Sequence, residues 1–508
     1  MNHYDVVIVG AGSAGCALAA RLSERPSRSV LLLEAGSDLD EPFDATNDLL
    51  DASRMVGAAD GHPANWAFDA RLNAARHTTV PRGKVIGGSS TINGGLFVRA
   101  TRDDFDGWAA MGNDQWSYDK VLPFFKRLEN DRDFPHSDVH GSGGPIPVSR
   151  TPNTALHPLS EAFVSACADL GFVEEIDKNA LGPPGWGAVP RNVVGGVRIN
   201  TALAYLVPNR DRPNLTIECG VIARRVLFDG TRAVAVEVER GDGIALVEAD
   251  EIVLSAGAVK SAQLLLLSGI GPADVLVGHG VRIVADLPGV GSRCADHPQV
   301  LLGVAFDSAS DTASHHGAVA EVALDTLVDG VPVSLMPYVL PMSTLVPGSG
   351  AADAQLPIGV LLERTTTAAE VSLSSGDPAR PPRIAYHYLE SSIDRARLRD
   401  AVEIGLAIVA SSAMQRAGAV RTSPTEGVDV GDWIAASVDT AVHLCASAPM
   451  GPDSEPTAVV DQYCRVRGVE GLRVVDTSVL PTAPSRGTAA TAVLIGERAS
   501  AFFDGAAP

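Results

Sequence analysis

Residues 4–34 read Y-D-V-V-I-V-G-A-G-S-A-G-C-A-L-A-A-R-L-S-E-R-P-S-R-S-V-L-L-L-E. An apolar run, Tyr4 to Val9, stops at Gly10, and glycines recur at Gly12 and Gly15. A second apolar run, Val30 to Leu33, ends on Glu34. The pattern is strand, glycine turn, helix (Cys16 to Leu22), strand, acid, the unit that binds the adenosine half of a dinucleotide. Gly10 lets the chain turn sharply off the first strand. Gly12 has no Cβ, so backbone can approach a pyrophosphate closely, and Ser13 and Ala14 lie in the same turn. Gly15 lets the helix pack on the sheet. The helix N-terminus presents free N–H groups and the positive end of a dipole. Glu34, followed by Ala35, can accept from both ribose hydroxyls and disfavours a 2′-phosphate. A G-x-G-x-x-G alone is often only a glycine-rich turn; the flanking strands and Glu34 make this one a dinucleotide site. FAD and NAD both stay open on these residues.

Composition narrows the class. A chain of 508 residues with 45% hydrophobic content predicts two domains and a large core. A formal net charge of -21 argues against nucleic acid, whose phosphates would be repelled, and fits a solvated acidic surface. The six cysteines form no C-x-x-C pair, so neither a metal site nor an iron–sulfur site is expected, and their scatter suits reduced thiols. The first strand begins almost at the N-terminus, so no signal peptide is expected. No apolar run approaches the roughly 20 residues of a membrane span. A cytoplasmic protein is expected, with peripheral contact to the inner face of a membrane left open.

Along the chain, the stretch after Glu34 reads as polar and irregular to about residue 75. Asp103 to Glu129 reads as helical, as do residues 161–171. Strands are expected at Leu215–Ile217, Arg225–Phe228, Ala233–Glu239 and Ile252–Leu254. Residues 300–440 have another texture, with strand-like Val333–Val339, Ile358–Leu362 and Ala369–Leu373 and a long helix near Ile393–Ala410. The end returns to strand (Leu472–Val475), loop and helix (Thr488–Phe503).

Several ordered blocks then agree. Residues 82–95 read R-G-K-V-I-G-G-S-S-T-I-N-G-G, and 107–129 contain G-W-A-A-M-G and W-S-Y-D-K-V-L-P-F-F-K-R-L-E. S-A-G-A-V-K-S-A-Q-L-L-L-L-S-G-I-G-P, D-L-P-G-V-G and A-D-H-P follow between 255 and 298. G-V-E-G-L-R-V-V-D-T-S-V-L-P and I-G-E-R-A close the chain. Together they resemble the glucose–methanol–choline (GMC) flavoprotein oxidoreductases over nearly the whole chain, apart from residues 300–440. The resemblance implies FAD rather than NAD. It implies an α/β fold: a discontinuous Rossmann-like FAD-binding domain and an α+β substrate domain built on an antiparallel sheet with helices. The FAD-binding parts would be residues 1–155, 201–299 and 441–508, and the substrate domain 156–200 and 300–440. By the same resemblance Arg82, Gly83, Gly88, Ser89, Asn93, Gly94, Gly95 and Leu96 would run along the flavin and its diphosphate. Val221 would contact adenine through its backbone, Ala256-Gly257 would pass beside the adenosine, and Asp476 would accept from flavin-side hydroxyls, with Thr488 nearby. Some members tether FAD to a histidine; Ile92 stands at that position, so the flavin is expected to be non-covalent.

The resemblance also implies a catalytic base. The family's H-P-x-G-T-x-x-M-G segment is matched by His443-Leu-Cys-Ala-Ser-Ala-Pro-Met450-Gly451, which makes His443 the candidate; the alternative is a satisfied core histidine. Counting back from Gly496-Glu497, the family's second catalytic Asn or His falls on Gly487 or Ala489, neither of which hydrogen-bonds through a side chain. Ser485, Arg486, Thr488 or a group from the substrate domain would have to substitute. His297, in A-D-H-P, reads as structural, and His62, His77, His136, His140, His315 and His316 carry no constellation. The expected function is FAD-dependent oxidation of a CH–OH donor with an acceptor other than O2. The H-L-C-x-S-x-x-M-G form resembles actinobacterial members that accompany mycofactocin, a peptide-derived redox cofactor, which makes reduced mycofactocin a candidate donor and a respiratory carrier a candidate acceptor. The alternatives are a choline- or small-alcohol dehydrogenase or oxidase, an FAD-containing hydroxynitrile lyase, and a non-catalytic flavoprotein.

Overall fold

Strands buried on both faces read as unbroken apolar runs, because a parallel sheet is covered by helices above and below. Val6–Val9 and Val30–Leu33 are buried without exception. In the computed structural model, which describes residues 3–306, 318–341, 344 and 355–503, β1 (His3–Val9) lies parallel between β2 (Val30–Leu33) and the strand Gly243–Leu254. Among the described residues this sheet runs Leu215–Glu218, β2, β1, Gly243–Leu254, Arg232–Arg240, Ile222–Asp229. Leu472–Val474 adds in parallel beside Ile252–Leu254, so the last part of the chain closes the sheet that the first part opens.

The helix after the glycine turn, α1, spans Ser13–Leu22 rather than starting at Cys16, because the turn itself forms its first winding. Gly12 is its N-cap and makes no side-chain cap bond. A Cβ on Gly15 would lie 2.0 Å from the Gly10 carbonyl oxygen, so only glycine lets α1 sit on the strand end. A Cβ on Gly496 would lie 2.2 Å from the Ala14 carbonyl oxygen, so the C-terminal helix Ala489–Ser500 packs backbone to backbone on α1. Its neighbour Glu497 is fully buried. It accepts from Arg21 Nε at 3.0 Å, Arg127 Nε at 2.6 Å and Tyr205 Oη at 2.7 Å.

A second, antiparallel sheet runs Val420–Ser423, Pro298–Ala305, Gln355–Leu362, Val331–Pro337, Val322–Val328, Trp186–Ala188. Asp439–Thr440 pairs with Pro298–Gln299 at its edge. The helix Ser392–Val409 lies on this sheet through Gly405, where a Cβ would come 2.6 Å from Leu302 Cδ1. The stretch after Glu34 is not irregular throughout. Phe68–Arg71 and His77–Val80 are paired strands in a small sheet that continues from Phe68–Arg71 to Arg383–Ala385 and then Glu370–Ser372. Each is four residues long, and only Phe68–Arg71 alternates inside and outside, a signal that the surrounding turns obscure. Asp103–Glu129 is likewise two helices, Arg102–Ala110 and Tyr118–Leu128, separated at Gly112. Among the described residues no helix is long and apolar enough to cross a membrane.

Removing Glu497 leaves the buried Tyr205 hydroxyl and two part-buried arginines, Arg21 and Arg127, without their shared carboxylate. Glu497→Ala should lower stability by about 3–5 kcal/mol, read as a fall in thermal midpoint of the FAD-loaded protein; an unchanged midpoint would contradict a central role for this carboxylate.

Candidate functional site

A cavity of about 600 Å³ opens between the parallel sheet and the antiparallel one. From the opening turn Gly10, Gly12, Ser13, Ala14, Glu34 and Ala35 line it. From the R-G-K loop come Arg82, Gly83, Gly88, Ser89, Asn93, Gly94 and Leu96. Val221, Ala256, Gly257, Asp476, Thr488 and His443 complete the wall. Gly15 and Gly95 stand outside the lining. Gly15 serves helix packing, and Gly95 holds a turn at φ +68° over Val193.

The cavity has the features of a cradle for a long anionic ligand. The α1 amides open into it beside Gly12. Gly257 has φ +78° with nothing within 4 Å of a Cβ, leaving room beside the strand end. Glu34 accepts from the Ala11 amide at 3.0 Å and the Gly36 amide at 2.9 Å. Burial outweighs these bonds and pushes its carboxyl up to about 7. Carboxylate oxygens that each take one amide keep lone pairs for further donors. Asp476 accepts from the Gly257 amide at 2.9 Å, Ser261 Oγ at 2.5 Å and the Ser478 amide at 2.8 Å. Ile92 also lines the cavity and offers no nucleophile.

At the other end stands His443. Its amide donates to Asp296 Oδ1 at 2.8 Å, and Asp296 also accepts from the His297 amide at 2.7 Å and Thr440 Oγ1 at 2.7 Å. The preceding residue, Val442, sits at φ +65°, a costly conformation for a β-branched side chain. Arg82 holds the Val442 carbonyl. Burial, then the nearby charges of His297 and Arg82, hold the His443 imidazole well below its usual pKa.

The position facing His443 is Gly487: a Cβ there would lie 3.6 Å from both Cε1 and Nε2. Among the described residues Gly487 brings no side chain to this place opposite His443. Ser485 is committed to Asp104, donating to Oδ1 at 2.7 Å, and Arg486 lines the cavity while bonded to Glu175 at 2.6 Å. Asp104 is also the N3 residue of the Thr101 capping box, so a helix start fixes the loop carrying Gly487. Beyond Arg486 lies a buried charged group, Lys178 with Glu175 at 2.9 Å and Asp325 at 3.0 Å.

Sequence reasoning missed His297 and Glu363. His297 packs edge-on against His443, ring centroids 5.0 Å apart, and its Nδ1 lies 2.9 Å from His443 Nδ1. Its Nε2 lies 2.9 Å from the Pro484 carbonyl, so Nε2 carries a hydrogen. Glu363 Oε2 lies 2.9 Å from the same Nδ1 but off the hydrogen-bond direction, and no hydrogen bond reaches this oxygen. Burial would lower the His297 pKa, but Glu363 foremost, with Asp296 and the Pro484 carbonyl, outweighs it and raises it. The A-D-H-P block was the available signal; it holds both the clamp on His443 and its ring partner. His140, which carried no pattern in sequence, is buried with Glu129 and Asp131 at 2.7 and 3.2 Å. Asp177 at 2.7 Å completes its shell, its pKa is pushed up to about 9, and Arg99 and Arg150 balance the acids, which makes an ion network. His315 and His316 lie outside the described residues.

Comparison with known proteins identifies the family. Family models of the N- and C-terminal parts of GMC oxidoreductases match residues 4–299 and 365–496. The chain is 41% identical to an uncharacterised GMC-type oxidoreductase of Rhodococcus erythropolis over 99% of both chains. It is 34% identical to an oxygen-dependent choline dehydrogenase of Vibrio vulnificus, over 98% of this chain and 94% of that one. The crystal structure of pyridoxine 4-oxidase from Mesorbium loti superposes with a TM-score of 0.90 at 31% identity, covering 99% and 100%.

Glu34 supplies a test. Only the carboxylate accepts two ribose hydroxyls, so FAD should bind the cofactor-free protein more tightly as pH rises through about 7. Glu34→Gln should weaken FAD binding about tenfold or more and flatten that pH dependence, read by equilibrium titration; wild-type affinity would remove the role.

Proposed function

The chain belongs to the GMC oxidoreductase family, and we propose that it oxidises the CH–OH group of an alcohol, with His443 as the base and FAD held without a covalent bond. Bound FAD supplies flavin N5 as hydride acceptor. The observation that carries the reading is a single imidazole, neutral at pH 7, on the wall of a cavity that the opening turn and the R-G-K loop also line. A neutral imidazole accepts a proton at Nε2, and Gly487 leaves space there for a substrate oxygen.

In this reading Glu34 holds the adenosine ribose, with Val221, Ala256 and Gly257 along the adenosine. Gly12, Ser13 and Ala14 hold the diphosphate from the α1 N-terminus. Arg82, Gly83, Gly88, Ser89, Asn93, Gly94, Leu96, Asp476 and Thr488 flank the flavin half, with Gly95 holding the turn between Gly94 and Leu96. Ile92 leaves no side chain to tether the ring. The division of the chain into FAD-binding and substrate parts at residues 156–200 and 300–440 belongs to the same reading. Substrate specificity falls to the antiparallel sheet, where Gln299, Met336, Tyr338 and Glu363 reach the cavity.

The substrate is a small alcohol or a reduced redox cofactor, and the acceptor is one other than O2. The H-L-C-A-S-A-P-M-G form of residues 443–451 favours reduced mycofactocin. The named relatives favour choline or pyridoxine as the first small alcohols to try. Bleaching of the flavin on anaerobic addition of these donors separates oxidation from lyase chemistry, which leaves the flavin oxidised, and from a non-catalytic flavoprotein.

His443→Ala should slow anaerobic flavin reduction by about 10²–10⁴-fold with FAD content unchanged. A wild-type rate would dismiss His443 as base.

A further inference from the structure

The second catalytic position is empty at Gly487, yet the Nδ1 side of His443 is crowded. His443 Nδ1 and Glu363 Oε2 each lie 2.9 Å from the same atom, His297 Nδ1. One hydrogen at most fits between the two rings. The His297 Nε2 hydrogen is fixed by Pro484. If that inter-ring hydrogen belongs to His297, the ring is an imidazolium, and neutral His443 carries its proton on Nε2, where it cannot act as base. If it belongs to His443, Nε2 is free to accept. The two arrangements differ by one proton, and among the described residues Glu363 Oε2 is the carboxylate oxygen that faces it without a hydrogen bond.

We propose that His297 and Glu363 form a proton sink behind His443. It rests on the reading of His443 as base. As the alcohol O–H bond breaks and a bond to His443 Nε2 forms, the hydrogen on His443 Nδ1 passes to His297 Nδ1. His443 ends neutral, and the positive charge rests on His297 beside the Glu363 carboxylate. The proton count is closed; the hydride goes to FAD. Glu363 and His297 act through His443 and are positioning residues.

Other charged and titratable groups around the pair do not serve this purpose. Asp296 is occupied by the two histidine amides and the Thr440 hydroxyl. Arg82 is committed to a carbonyl and opposes a proton on His443. Burial pushes the Tyr338, Tyr386, Tyr388, Cys294 and Cys445 groups nearby upward, which keeps them uncharged. Glu363 reaches the cavity from the end of Gln355–Leu362, and Tyr338 faces it. A buried carboxylate left without a hydrogen-bond donor is costly unless a cation forms beside it, which is the state the sink creates.

The sign of the pH effect follows. The resting enzyme is competent only when His297 is neutral, so flavin reduction rises with pH as His297 loses its proton. Glu363 raises that pKa, and removing its charge moves the limb to lower pH. The test uses FAD-loaded wild type, Glu363→Gln, Glu363→Asp and His443→Ala. ¹⁵N-histidine NMR reads the His297 titration without turnover, and anaerobic flavin reduction uses pyridoxine as probe. In Glu363→Gln the NMR midpoint and the kinetic limb should both fall by about one pH unit or more, and the plateau rate about tenfold or more. Glu363→Asp, which keeps the charge, should recover part of each. An unmoved His297 midpoint overturns the sink, as does a Glu363→Gln effect confined to KM, which would make Glu363 a substrate contact. A slow His443→Ala beside a wild-type-like Glu363→Gln removes the sink and leaves the base; a fast His443→Ala removes both.

Discussion

The structure depends on backbone meeting backbone where no side chain fits. A Cβ on Gly88 would lie 2.7 Å from Gly12 Cα, and one on Gly83 would lie 2.2 Å from the Gly88 carbonyl carbon. The Gly87 amide donates to the Ala11 carbonyl at 2.7 Å. These contacts lock the opening turn against the R-G-K loop, some 70 residues on. Together the two segments form one wall of the cavity. Arg82 then reaches from that loop to the Val442 carbonyl, so the position of the His443 segment is tied to the glycine contact.

At the far end the constraint is polar. Asp296 gathers two histidine amides and a threonine hydroxyl, each a hydrogen bond to a charged acceptor worth about 1.5–3 kcal/mol. That is enough to offset a left-handed Val442, which costs on the order of 1–3 kcal/mol. The strain aims His443 at the cavity while its Nδ1 side meets His297. With only Gly487 opposite His443, the polar groups His297 and Glu363 gather behind the imidazole.

Much of this was legible in sequence, and the reasons are local. Gly10, Gly12 and Gly15 sit between apolar runs whose burial on both faces leaves no polar interruption, so the parallel core could be read directly. The count from Gly496-Glu497 reaches Gly487, which lies opposite His443, across a helix that packs on α1 through Gly496. Phe68–Arg71 escaped because four alternating residues among turns carry little periodic signal. His297 and Glu363 escaped for another reason. Their meaning depends on a distance between residues far apart in sequence, and Glu363 belongs to a segment with no motif. His297 does lie in a recognised block, A-D-H-P, whose structural role as a clamp through Asp296 and chemical role through the ring coincide.

The central claim is that the opening turn, the R-G-K loop and His443 share one flavin site. A crystal structure of the FAD-loaded protein tests it most directly. The account predicts adenosine at Glu34, the diphosphate at the start of α1, and an isoalloxazine ring along Asn93–Leu96, unattached to protein and facing His443 beside Gly487. A ring bonded to the chain, or lying away from His443, would contradict it.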